Sequence, residues 1–80
     1  MAKRRVMLTF PEELLKEPII YTLSHQFPVV TNIRGADVSE DQGWVMLELE
    51  GEDEEIEQGI AWMTSKGVRV DPVAGNSAEG

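Results

Sequence analysis

The sequence predicts an α+β domain: one four-stranded antiparallel sheet with two helices packed on one of its faces. Three observations predict it. Two segments, Arg5-Val-Met-Leu-Thr-Phe10 and Trp44-Val-Met-Leu-Glu-Leu-Glu50, repeat with the period of two that a strand requires. Two others, residues 18–27 and 53–66, carry apolar side chains at helical spacing. Short extended segments at residues 29–38 and 68–72 complete the order strand, helix, strand, strand, helix, strand.

Each element has a local cause. In the first strand Val6, Leu8 and Phe10 alternate with Met7 and Thr9, and Pro11 ends the run. Residues 12–17 connect to a helix that opens at Pro18, since proline is tolerated at the first helical position. Its inward stripe is Ile20, Leu23 and Phe27, with Ile19 beside it, and Pro28 closes it. Val29 and Val30 begin the second strand, which runs through Asn32 and Ile33 to about Val38. Ser39-Glu-Asp-Gln-Gly43 is turn-like, so the second and third strands form a hairpin. Gly51 breaks the third strand. The second helix turns Ile56, Gly59, Ile60 and Met63 inward and stops at Lys66 and Gly67. Val68-Arg-Val-Asp-Pro72 is the last strand. This order is the ferredoxin-like split βαβ arrangement, a name that describes topology and implies no iron–sulfur cluster. Residues 1–73 form one domain, and residues 74–80, which have nothing to bury, form a flexible tail.

Composition narrows the function. The chain of 80 residues has no cysteine, which removes disulfides, iron–sulfur clusters, cysteine zinc sites and thiol nucleophiles together. Its net charge of −8 disfavours polyanionic partners, and its few basic residues draw no stripe that would suit nucleic acid. No apolar run is long enough to span a membrane, and the start does not read as a signal peptide, so the chain reads as cytoplasmic.

Alternation in the sheet has a consequence for binding. If Val6, Leu8, Phe10, Val45, Leu47 and Leu49 face the helices, then Met7, Thr9, Trp44 and Met46 face away, with no element left to cover them. A tryptophan and two methionines on an open face make an apolar patch that a monomer normally avoids. Burial in a homodimer is the economical arrangement; partial cover by loops or the tail is the alternative. Trp62 falls off the inward stripe of its helix, so it either anchors a partner or packs along the helix flank.

Catalytic and metal chemistry find little support. The acidic run Glu52, Asp53, Glu54, Glu55 and Glu57 lacks the alternating ligands and central glycine of a calcium loop, and complements a helix dipole instead. His25 is the only histidine, and no acidic side chain at helical spacing orients it. None of the serines sits in a nucleophile elbow. The chain reads as a non-enzyme that uses no cofactor.

Taken together and in order, several pieces resemble the NIL domain family. They are Leu8-Thr-Phe10, Pro18, Asn32-Ile33 with Ala36, Trp44-Val-Met-Leu-Glu-Leu-Glu-Gly51, Ile60-Ala-Trp-Met63 and Gly67-Val68. The family is named for a letter triplet that reads Asn-Ile-Arg here, with Arg34 where an aliphatic residue is usual. Its best-known members are the C-terminal regulatory domains of bacterial methionine-import ABC ATPases. The resemblance implies a ferredoxin-like fold, pairing as dimers and, in the transporter members, inhibition by bound methionine. The chain also resembles cyanobacterial-type versions in which such a domain precedes an iron–sulfur module. It contains no Gly-x-x-x-x-Gly-Lys-Ser/Thr phosphate loop, and so reads as a stand-alone NIL domain.

The resemblance places the Asn32-Ile33 segment near the ligand, and Arg34, which departs from the family's pattern, is a candidate contact by its chemistry, an isolated exposed charge being the alternative. An asparagine amide pairs with either end of a zwitterionic amino acid, and an arginine meets a carboxylate bidentately; satisfaction of Asn32 by backbone is the alternative. Met7, Trp44, Met46 and Trp62 are the candidate dimer or partner interface. The expected function is a homodimeric, ligand-binding regulatory domain sensing an amino acid such as L-methionine. The alternative is a protein–protein interaction module that uses the open sheet face and takes no small ligand.

Overall fold

The computed structural model describes residues 1–73; the expected tail, 74–80, lies outside the described residues. The elements follow the expected order: strand β1 (Ala2–Pro11), a 3-10 turn (Glu12–Leu14), helix α1 (Ile19–Gln26), strand β2 (Val30–Val38), strand β3 (Gln42–Gly51), helix α2 (Asp53–Ser65) and strand β4 (Arg69–Pro72). The four strands pair antiparallel in the order β2-β3-β1-β4, which is the ferredoxin-like plait.

Strand β1 is longer than its apolar alternation suggests. It starts at Ala2 because β3 supplies partners that far out, pairing Ala2 with Gly51 and Lys3 with Glu50. Register then sorts the side chains. Val6 opposite Leu47 and Leu8 opposite Val45 lie on the helix side, whereas Met7 opposite Met46 and Thr9 opposite Trp44 lie on the other.

The core lies between sheet and helices, built from Val6, Leu8, Leu47 and Leu49 against Leu23, Ile56 and Met63. In α1 the inward stripe is Ile19 and Leu23, with Ile20 and Phe27 half-buried. The expected residues therefore all pack on the core, with two differences: the helix starts at Ile19, Pro18 standing just outside it, and Ile19, at i to i+4 spacing from Leu23, is buried more deeply than Ile20. In α2, Ile56, Gly59 and Met63 are buried and Ile60 is half-buried. Gly59 faces α1 so closely that a Cβ there would stand 3.0 Å from Leu23 Cδ1. Helix α2 ends in a Schellman motif. The Val68 N–H donates to the Met63 carbonyl and the Gly67 N–H to that of Thr64, with Gly67 at φ +104°.

Candidate functional site

With both helices on one side, the other side of the sheet is open, and β2 is an edge strand of nine residues with one row of backbone groups unpaired. Most of the residues picked from the sequence lie on this face and edge. Met7 and Met46 oppose each other at its centre, both half-buried. Trp44 sits beside them, 36% exposed, its ring leaning over the edge strand where Gly35 leaves room for it. A bulge between Ile33 and Gly35 shifts the register there and inserts Arg34 as the extra residue.

The three candidate ligand residues divide between the two faces. Asn32 is exposed opposite Glu48, on the open face. Among the described residues its amide hydrogen-bonds no other protein group. Arg34 reaches over the same face, 4.0 Å from a Glu48 oxygen. Ile33 is paired with Leu47 and so belongs to the helix side, where the edge position leaves it 56% exposed. Trp62 is also on the helix side. It is half-buried against Phe27, ring centroids 6.1 Å apart, with the Lys66 ammonium 5.7 Å from its ring. The structure therefore groups Met7, Trp44, Met46, Asn32 and Arg34, and sets Ile33 and Trp62 apart from them.

The face also holds a charge cluster that sequence reasoning missed. The Glu48 carboxylate, only 17% exposed, lies between Arg5 at 3.3 Å on one neighbouring strand and Arg34 on the other. Arg5 Nε is buried without a hydrogen-bond partner. Alternation puts Glu48 on this face, but which arginines flank it depends on register and on the bulge. Further out, Lys3 opposes Glu50, and Arg69 bonds Asp71 at 2.9 Å. The face thus carries four basic side chains (Lys3, Arg5, Arg34, Arg69) and four acidic ones (Asp37, Glu48, Glu50, Asp71), so the acidic excess of the described residues lies off it.

Other candidate groups are occupied elsewhere. Arg4, on the helix side of β1, pairs with Asp53 at 3.6 Å and with Glu57, drawing two members of the acidic run into a salt bridge. His25 is exposed and stacked on Tyr21, with Nδ1 3.0 Å from the Tyr21 carbonyl. Among the described residues no group of three His, Cys, Asp or Glu side chains is placed to hold a metal ion, and no helix is long and apolar enough to cross a membrane.

Fold and surface together define the class: a ferredoxin-like plait that presents an apolar centre, a ring of paired charges and a free strand edge on one side. Residues 4–72 match the NIL domain model, and the chain belongs to the NIL domain family. It is 33% identical over 76 residues to the methionine import ATP-binding protein MetN of Halalkalibacterium halodurans. That match takes in 90% of this chain but only 22% of the relative. The fold is similar to the crystal structure of the C-terminal domain of an ABC transporter ATP-binding protein from Enterococcus faecalis. The TM-score is 0.76 at 23% identity, covering 88% of this chain and 82% of that one.

Proposed function

We propose that this domain is a cytoplasmic regulatory module that binds an amino acid such as L-methionine and passes its occupancy, as a homodimer, to another protein. It works by binding and carries out no reaction of its own. The observation that carries this reading is the family match over residues 4–72, joined to a relative whose name states methionine import. A ligand that binds two arrangements of a dimer unequally shifts the balance between them, and nothing more is needed for regulation.

The open face supports the dimer. Its centre is Met7, Met46 and Trp44, and its balanced charges let two copies meet there without adding like charge to the contact. In this reading Asn32, exposed at the strand edge, and Arg34, 4.0 Å from Glu48, are the polar contacts of the ligand. The same face favours a second reading, a module that binds a protein partner there and takes no small ligand.

Thermal melting separates the two. Binding at a hundred times the dissociation constant adds about 2.7 kcal/mol. In a domain of this size that raises Tm by roughly 10 °C or more. The expected result is a rise with millimolar L-methionine and none with D-methionine or L-leucine, reduced in Asn32→Ala. A melting temperature unmoved by any amino acid would overturn the sensor reading in favour of the interaction module.

A further inference from the structure

One row of polar side chains crosses the open face over three strands. Arg5 of β1 is paired with Glu48 of β3, and Glu48 with Asn32 of β2. Arg34, the extra residue of the bulge, reaches back over this row. The two oxygens of Glu48 divide between the arginines. Oε2 accepts a hydrogen bond from Arg5 Nη2 at 3.3 Å, and Oε1 lies 4.0 Å from Arg34 Nη1. The second distance is too long for a hydrogen bond, so Arg34 is attracted by Glu48 but keeps its donors.

The row is short of acceptors. Two guanidiniums bring many more N–H donors than the oxygens of one carboxylate can take. Arg5 Nε is buried without a partner, and among the described residues the Arg34 guanidinium donates no hydrogen bond. Charge points the same way: at this end of the face Lys3, Arg5 and Arg34 stand against Glu48 and Glu50, one positive charge in excess. The group that the row lacks is a second carboxylate, and the half-exposed Arg34 is where one arrives from solvent.

Glu48 has a different part. It is only 17% exposed, sits inside a strand paired on both sides, and is held from β1 by Arg5. A long arginine side chain at an exposed edge loses rotamer freedom when it binds, which opposes binding. A carboxylate fixed beside it narrows that freedom beforehand.

We propose that Glu48 is a positioning residue: anchored by Arg5, it holds the Arg34 guanidinium over the open face, where Arg34 takes the free carboxylate of the ligand beside Asn32. The inference rests on the reading of the domain as an amino-acid binder with Asn32 and Arg34 as its contacts, and it makes the carboxylate the group that is selected. Charge and position then predict opposite results for Glu48→Gln. Removing the Glu48 charge removes a repulsion on the incoming carboxylate, so charge alone would tighten binding. Loss of position weakens it.

The test is isothermal titration calorimetry on the full chain and on Glu48→Gln, Arg34→Gln and the double variant, a cycle that shows whether one residue acts through the other. The probes are L-methionine, L-methioninol (amine without carboxylate) and N-acetyl-L-methionine (carboxylate without ammonium). L-Methionine is expected to bind, and L-methioninol to bind roughly tenfold more weakly or worse, as loss of a charge-assisted contact implies. Glu48→Gln is expected to weaken L-methionine several-fold where Arg34 is present and to change nothing where Arg34 is already Gln. A residue that merely stabilised the fold would weaken both backgrounds alike. Melting without ligand checks that each variant is folded. If Glu48→Gln is not, Glu48→Asp takes its place: it keeps a charge for Arg5, draws it back from Arg34, and is expected to weaken binding in the same Arg34-dependent way. If L-methionine binds and loss of Glu48 tightens it, leaves it unchanged or weakens both backgrounds equally, the positioning role is overturned and the sensor reading stands. L-Methioninol binding as tightly as L-methionine overturns selection of the carboxylate. If N-acetyl-L-methionine binds with the expected dependence on Glu48 and Arg34 while L-methionine does not bind, the sensor reading falls and the positioning role stands. Binding of none of the three overturns both.

Discussion

Gly67 carries the sharpest residue-level constraint among the described residues. Its φ of +104° lies where a Cβ is strained, and that angle turns the chain from α2 into β4 while the Met63 and Thr64 carbonyls are satisfied. Gly67→Ala keeps the sequence helix-friendly but forces this angle on an L side chain. The expected cost is about 1 kcal/mol, a fall in Tm of roughly 4–8 °C. An unchanged Tm would mean that the C-terminus of α2 relaxes without loss. This glycine was legible from its place after Lys66. The flanking of Glu48 by Arg5 and Arg34 was not, because it depends on which residues of three strands lie side by side.

Elements were legible where a periodic pattern is driven by burial, and less so where pairing decides. The alternation of Val6, Leu8 and Phe10 marks the buried half of β1, but Ala2, Lys3 and Arg4 belong to the strand only because β3 lies opposite them. Strand β2 has no buried residue to enforce alternation, so the split of Asn32 and Arg34 from Ile33, and the bulge that causes part of it, appear only with the register. In α1 the expected residues all reach the core, but Ile19, four residues before Leu23, lies deeper than Ile20. Helix α1 depends on that stripe for its place, since it has only eight residues and isolated helices of that length are marginal in water. Leu23→Ala, at a site with no exposed surface, is therefore expected to cost about 2–5 kcal/mol. Tyr21→Ala on the outer side of the same helix is expected to change stability by about 0.5 kcal/mol or less. Urea unfolding of both variants measures this, and equal losses would show that the helix is held by more than its inner face.

At the scale of the whole molecule, charge and apolar surface are segregated. Among the described residues the body carries the acidic excess, while the open face balances its four basic side chains against four acidic ones around Met7, Met46 and Trp44. Two copies approaching face to face thus repel through their bodies at long range and attract by burying apolar area at contact. The two terms respond oppositely to salt. The Debye length shrinks from about 30 Å at 0.01 M to about 8 Å at 0.15 M, which screens the repulsion between bodies and leaves the apolar contact untouched. Dimerisation through this face is therefore expected to tighten as salt rises over that range. Met46→Asp, which puts an unpaired charge at the centre of the contact, is expected to abolish it while the monomer stays folded. Sedimentation equilibrium across the salt series reads both effects. A dimer that loosens with salt would be held by ion pairs, and one that survives Met46→Asp would use another surface, with the exposed edge of β2 the first to examine.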